Sequence, residues 1–325
     1  MTPRFFLQSL ILAAATLLLG AAHAQDDFPR KPIRWIVGYP AGAASDFVAR
    51  TVAASLSAQI GQQVVVDNRP GSSGSIAADL AARAPSDGYT IVTVDNGMLI
   101  YNPVLYKKIP YEPAKDFAPI GLMVRIPILL LANNDAPLRS MKDFADAARK
   151  NPGKVSYGSP GIGTPHNMAM EMFKSYNKLF AVPIQYRGGA PMLTDITGGH
   201  IEYMVLDIAS TTSSLKAKKF RPLGVFSRAR LASLPDVPTI FELGLGDVEA
   251  IAWQGIAVPS VTPESVRRYL STELAKAIAS PEVRAKFAEY GLEATPSSAA
   301  DMQSLWDSDQ TYWSRLIKER NIKAE

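Results

Sequence analysis

The chain has 325 residues, of which 47% are hydrophobic, 20% are charged and none is cysteine, and its formal net charge is +4. That length suggests about two domains, and the apolar share supports a packed core and excludes a disordered or collagen-like chain. The absence of cysteine excludes disulfide scaffolds, thiolate nucleophiles, Cys-ligated zinc, iron–sulfur clusters and lipid attachment through a lipobox cysteine; the mild charge, with no block of like residues, is far from a nucleic-acid footprint.

Residues 1–24 carry one charge, Arg4, ahead of an apolar run over 10–19 and the ending Gly20-Ala21-Ala22-His23-Ala24. This reads as a secretory signal cleaved after Ala24. A membrane anchor would need about 20 strongly apolar residues, and this stretch is diluted by Gln8, Ser9, Thr16 and His23. No later segment approaches that length, so a soluble, exported protein is expected.

The exported part alternates strands and helices. A short apolar strand over 33–37 is followed by turn residues, then by a helix over 46–60 with Val48, Val52, Leu56 and Ile60 four apart. Gly61 is its expected stop. Strands over 64–66 and 90–94 flank a helix over 74–83. Ser140 heads a helix through Phe144 and Ala148, with Gly153 past its end. A strand over 154–157 precedes a helix through Met168, Met172 and Phe173, and another buried strand covers 203–206. Thr262-Pro263 and Ser280-Pro281 each place a cap before a proline at the first helical position. Met302, Trp306, Trp313, Leu316 and Ile317 mark an amphipathic terminal helix. This alternation predicts an α/β protein with parallel sheets covered by helices on both faces.

In such sheets ligands bind beyond the carboxyl ends of strands, where turns feed helix N-termini. Two turns have that position: Gly38-Tyr39-Pro40-Ala41-Gly42-Ala43-Ala44-Ser45-Asp46 and Ser159-Pro160-Gly161-Ile162-Gly163-Thr164-Pro165-His166. Small residues let a ligand approach the backbone, and free N–H groups at a helix start attract an anion. Their separation suits one jaw in each of two domains. From the residues alone the alternative stays open that both are ordinary tight turns, capped by Ser45 or Asp46 and by Thr164.

Other chemistries find little support. His166 stands where a dinucleotide fingerprint starting at Gly161 needs Gly or Ala, no Gly-Lys-Ser/Thr occurs, and Gly71-Ser72-Ser73-Gly74-Ser75 lacks the spacing of a nucleophile elbow. His166 and His200 have no metal-ligand spacing. Ser45 and Asp46, being adjacent, cannot both orient one imidazole. No catalytic residue, metal or cofactor is expected, and no nucleic-acid partner.

Ten short motifs then follow in order. They include Lys31-Pro32-Ile33-Arg34, Val65-Val66-Asp67-Asn68-Arg69-Pro70-Gly71, Asp87-Gly88-Tyr89-Thr90, Asn102-Pro103-Val104-Leu105-Tyr106 and Asp116-Phe117-Ala118-Pro119. Later come Pro152-Gly153-Lys154-Val155, Tyr186-Arg187-Gly188-Gly189-Ala190-Pro191, Leu234-Pro235-Asp236-Val237-Pro238-Thr239 and Ala252-Trp253-Gln254-Gly255. With the first turn they make the chain resemble the Bug family of periplasmic solute receptors, the substrate-binding component of tripartite tricarboxylate transporters.

The resemblance implies a two-domain, type II periplasmic-binding fold, each domain a mostly parallel sheet flanked by helices. Domain one would hold 25–125 plus 249–325 and domain two 126–248, with hinge strands near 127–132 and 251–258. The implied function is capture of a small mono-, di- or tricarboxylate by hinge closure, with the protein acting as a monomer. Delivery would be to the membrane permease subunits, or alternatively to a sensor kinase ectodomain; a secreted enzyme is the remaining alternative. The implied clamp is the backbone of Ala43, Ala44 and Ser45, the Ser45 hydroxyl, Gly163 and Thr164, with Tyr39, Ser159, His166 and Asp207 lining the pocket. Asp46 would cap the first helix and order a water, or accept from a ligand ammonium or hydroxyl.

Magnitudes allow such a clamp without arginine. A helix dipole contributes about 0.3–1 kcal/mol, whereas micromolar binding needs about −8 kcal/mol. Several hydrogen bonds to a charged group, roughly 1.5–3 kcal/mol each, close the gap. Two details depart from the family pattern or test it. Ala43 replaces a glycine of the usual Pro-Pro-Gly-Gly run, adding a methyl where backbone should meet carboxylate. Arg50 is expected on a solvated helix face, and Arg187 in interdomain structure.

Overall fold

The computed structural model describes residues 28–247 and 249–323, so the signal read over 1–24 lies outside the described residues. Strand β1 (Ile33–Val37) is the first apolar run, and Trp35, Ile36 and Val37 are fully buried. Helix α1 (Ala44–Ile60) buries Val48, Val52 and Leu56, and Gly61 ends it at φ 68° by donating its N–H to the Ser57 carbonyl at 3.1 Å. β2 (Val64–Asn68), α2 (Ser75–Ala82) and β3 (Thr90–Asp95) continue the alternation. β1 lies between β2 and β3, parallel to both. A single π turn, Gly97–Tyr101, leads into α3 (Asn102–Leu105), then α4 (Pro113–Asp116) and the 17-residue β4 (Phe117–Asn133).

The alternation resumes with α5 (Met141–Lys150), β5 (Ser156–Ser159), α6 (Pro165–Tyr176), β6 (Val182–Gln185) and α7 (Gly189–Thr197). β7 (Tyr203–Asp207), α8 (Ile208–Lys216) and β8 (Phe220–Val225) complete it. The chain returns through β9 (Ile251–Pro259) to α9 (Glu264–Ala279), α10 (Pro281–Glu289), β10 (Glu293–Ala294) and α11 (Ala299–Glu319). Among the described residues no helix is long and apolar enough to cross a membrane.

The caps follow local chemistry. Ser140 accepts from the Asp143 N–H and Ser280 from the Val283 N–H, as expected. Thr262 does not cap. Its N–H closes a turn onto the Pro259 carbonyl at 3.0 Å, and Pro263, with ψ 142°, remains outside α9 as the flanking residue.

The strand order is β2-β1-β3-β9-β4-β7-β5-β6, with β8 and β10 also on β4. The outer pairs are parallel, as the strand–helix alternation predicts, whereas β3–β9, β9–β4 and β4–β7 are antiparallel. The antiparallel centre arises because β4 carries the chain out of the first sheet and β9 carries it back. β4 pairs with β9 from Phe117 to Pro127 and with β7 from Ile128 to Ala132. The result is a mixed α/β fold of the two-domain periplasmic-binding type, with a large core on the first sheet and a smaller one around Leu129, Leu131, Met204 and Ile208.

Where β4 meets β9, its register slips twice, between Pro119 and Gly121 and between Leu122 and Val124. Close approach there depends on glycine. A Cβ at Gly255 would sit 2.7 Å from the Gly121 carbonyl oxygen and 2.7 Å from the Met302 sulfur. Gly255→Ala should therefore cost about 1–3 kcal/mol, measured as a lowered urea midpoint; an unchanged midpoint would show that the crossing has slack.

Candidate functional site

Both predicted turns lie where strands end and helices begin. In the first, Gly42 takes φ 80° while Ala43 is extended at φ −75° and ψ 165°, a conformation open to any residue. The methyl of Ala43 therefore adds no backbone strain, and the positive φ falls on the glycine that remains. Ala43 is the flanking residue of α1 and offers no side-chain cap, so neither Ser45 nor Asp46 fills that role. The Ala43 N–H, expected in the clamp, donates instead to the Pro40 carbonyl at 3.2 Å, whereas the N–H groups of Ala44, Ser45 and Asp46 have no protein acceptor among the described residues. Free N–H groups at the start of a 17-residue helix suit an anion.

Asp46 faces inward to its own turn. Its carboxylate accepts from the Gly42 N–H at 2.9 Å, from Arg50 Nε at 3.0 Å and from Asn68 Nδ2 at 2.9 Å. Burial pushes its pKa up, but the hydrogen bonds from Arg50, Gly42 and Asn68 outweigh this and hold it below the usual range. Asn68 also donates to the Tyr39 carbonyl at 3.1 Å. Arg50 is about half exposed yet spent on Asp46 and Asn68, so the solvated-face reading holds only for part of it.

The second turn is built by glycine and threonine. Gly161 and Gly163 have φ 135° and 77°, and Thr164 caps α6 by accepting from the Asn167 N–H at 3.2 Å. The Thr164 hydroxyl donates to the Gly161 carbonyl at 2.8 Å. Its proton is thus committed within the turn. Thr164→Ala should cost about 1 kcal/mol of stability, and calorimetric affinity for a bound carboxylate should change less than in a Ser45 variant.

The two turns are brought together. A Cβ at Gly163 would lie 3.0 Å from Leu105 Cδ1, and one at Gly97 would lie 3.3 Å from the Gly163 carbonyl oxygen. The second turn therefore packs on the segment just after β3. His166, in the first turn of α6, sets Nε2 3.1 Å from Asp207 Oδ2. Asp207 ends β7 and caps α8, accepting from the Ser210 N–H at 2.7 Å and the Ser210 hydroxyl at 2.9 Å. Burial raises its pKa, and His166 and Ser210 more than reverse this.

Two residues outside the sequence expectation complete the arrangement. Asp95, at the end of β3, accepts from the Tyr39 hydroxyl and from the Met98 N–H at 2.8 Å. Burial keeps its carboxyl above the usual range despite those bonds and despite the charge of His166. The Tyr39 hydroxyl is itself pushed well up by burial and by Asp95. Gln254, in β9, donates its amide Nε2–H to Ser45 Oγ. The carboxyl-end rule for strands, applied to β1, β5 and β7, would have found Asp95 had it been applied to β3 as well. Gln254 stands in the motif Ala252-Trp253-Gln254-Gly255, but nothing local assigns it to the site.

Several polar atoms here are buried without a protein partner: Ser159 Oγ, His166 Nδ1, Gln254 Oε1, and the side-chain oxygens of Asn102 and Asn167. Buried polar atoms are normally paired, so these are the groups available to a polar ligand. Arg187 is exposed and forms no ion pair among the described residues. No group of three or more metal-ligating side chains occurs among them.

This geometry, two helix starts and a polar lining between two sheets, is that of a solute receptor, and the comparisons agree. Residues 48–322 match the family model described as tripartite tricarboxylate transporter family receptor, and the chain belongs to that family. A curated relative from Pseudomonas sp. (strain P51), the UPF0065 protein in the tcbD-tcbE intergenic region, is 37% identical over 97% of this chain and 94% of its own. Among solved structures, R. palustris Rpa4515 with adipate has a TM-score of 0.85 and 32% identity, covering 91% of this chain and 99% of that one. The periplasmic binding protein BugD has a TM-score of 0.82 and 31% identity over 91% and 99%. MatC from Rhodopseudomonas palustris with bound malate has 0.81 and 25% over 89% and 100%.

The Asp207 environment predicts a pH signature. Its folded pKa lies below the unfolded value near 3.8, so its stabilisation is present at neutral pH and lost as pH falls below about 3.8. Asp207→Asn should lower stability by about 1–3 kcal/mol at pH 7, and the gap to wild type should narrow as pH falls below about 3.8. Urea midpoints at pH 7, 5 and 3 check this; a gap that widens on acidification would refute it.

Proposed function

We propose that this chain captures a small mono-, di- or tricarboxylate in the periplasm and hands it to the membrane subunits of a tripartite tricarboxylate transporter. The observation that carries the reading is the uncapped start of α1, where the N–H groups of Ala44, Ser45 and Asp46 converge beside the Ser45 hydroxyl. Adipate and malate in the solved relatives support a carboxylate as ligand. The first turn would hold the carboxylate, and Ser159 and His166, with buried atoms lacking partners, would meet the rest of the ligand from the second turn. The Asp46 carboxylate supports the turn, and only its backbone N–H would face the ligand.

Capture would proceed by closure of two lobes, 25–125 plus 249–325 and 126–248. The exchange of partners on β4 after Pro127 supports a hinge there, with β9 as the second connection. The Ser45 hydroxyl lies against an amide and no imidazole base, which favours binding over turnover.

Ser45→Ala should weaken carboxylate binding by about 1–3 kcal/mol and, because it leaves the buried Gln254 amide without its acceptor, should lower stability by a similar amount. The ligand itself is identified by mass spectrometry of what native protein releases on denaturation, and calorimetry with that compound measures the loss. Unchanged affinity in the variant would overturn the clamp. A deletion strain that kept uptake but lost induction would overturn delivery to a transporter in favour of signalling.

A further inference from the structure

Gln254 is 5% exposed, and the two ends of its amide have different fates. Nε2 donates to Ser45 Oγ, while Oε1 is buried and has no partner among the described residues. The backbone that carries it is fixed in the sheet. Gln254 lies directly opposite Asp95 in the β3–β9 ladder, and the Trp253 N–H before it donates to Asn96 Oδ1 at 2.9 Å. Opposed residues in such a ladder project to the same face, so Gln254 shares the Asp95 side of the sheet.

This fixes the polarity of Ser45. Because Ser45 Oγ accepts from Gln254, its own proton is free to be donated, and a carboxylate at the start of α1 is the acceptor that suits it. The remaining atom, Oε1, can only accept. It belongs to the same planar amide that touches Ser45, so a carboxylate held by Ser45 would bring the substituent on its adjacent carbon within reach of that atom.

We infer that Gln254 determines specificity by accepting a hydrogen bond from a donor on that adjacent carbon, so that the preferred ligand is a 2-hydroxy or 2-amino carboxylate. This rests on the carboxylate reading above and narrows it. An unsubstituted acid would leave Oε1 buried and unpaired, and a site built to pair with a ligand hydroxyl discriminates strongly against the analogue lacking it. A 2-oxo acid would set two acceptors against each other.

The test is calorimetry on two series: succinate, malate and aspartate, and glutarate, 2-hydroxyglutarate, glutamate and 2-oxoglutarate. Wild type should bind the better of the hydroxy and amino members roughly tenfold or more tighter than the unsubstituted acid of the same length. Gln254→Met, which keeps volume but removes both amide functions, should bring that ratio close to one. If that variant fails to fold, Gln254→Glu serves instead. It keeps an acceptor at the same reach, so the preference for a donor should survive while all affinities fall, through like-charge repulsion and because the new carboxylate accepts the Ser45 proton. Equal binding of substituted and unsubstituted acids, tightest binding of the 2-oxo acid, persistence of the preference in Gln254→Met, or its loss in Gln254→Glu would overturn the inference. Unsubstituted acids that bind without any preference would leave the carboxylate reading intact and sink only this one. Binding of no member of either series would overturn this inference, and the carboxylate reading would then be decided by the mass spectrometry above.

Discussion

Strand β4 exchanges partners between Pro127 and Ile128, and the arrangement of the site depends on that exchange. A strand that stayed with β9 for its whole length would extend the first sheet and leave β5 to β8 without a template. By passing to β7 and β8, β4 lets a second set of strand–helix units grow with their turns facing the first set. The cost is a crowded crossing, where the register slips twice and Gly121 and Gly255 admit a backbone contact that no side chain would permit. Gln254 sits beside that crossing, so the residue that touches Ser45 is held by the same feature that joins the sheets.

Much of the fold was legible locally. Apolar spacing placed α1, and Gly61, Ser140 and Ser280 acted as the stop and caps their chemistry predicts. Pattern could not reveal that β4 runs for 17 residues, because a strand buried on both faces reads the same whichever partner it has. The Thr262 cap failed for a related reason: a turn onto Pro259, invisible in composition, moved the helix start by one residue.

The site divides the same way. Turns beyond strand ends are visible as small residues before helices, and both were found. What each hydroxyl or carboxylate does with its hydrogen bonds is decided across 20 or more residues of sequence. Asp46 answers to Asn68, Ser45 to Gln254, and Tyr39 to Asp95. Spacing carries no trace of those pairings, so the sequence does not reveal that the Thr164 hydroxyl and the Asp46 carboxylate are engaged within the protein.

The charge balance explains how an anion can be held among acids. Asp46, Asp95 and Asp207 all border the region, which at face value should repel a carboxylate. Each is answered within the protein. Asp46 is paired with Arg50 and accepts from the Gly42 N–H, and Asp207 is hydrogen-bonded to His166 and Ser210. Asp95, buried and raised in pKa, is pushed toward the protonated form, with the Tyr39 hydroxyl against it. With the acids engaged by these partners, what remains directed at a ligand is dipolar: the first N–H groups of α1 and the proton of Ser45. Dipoles fall off faster with distance than charges do, so they favour an anion seated against them over one that is merely nearby. A receptor that must also release its ligand gains from that short range, since opening by a few ångströms removes most of the attraction where a buried arginine would retain it.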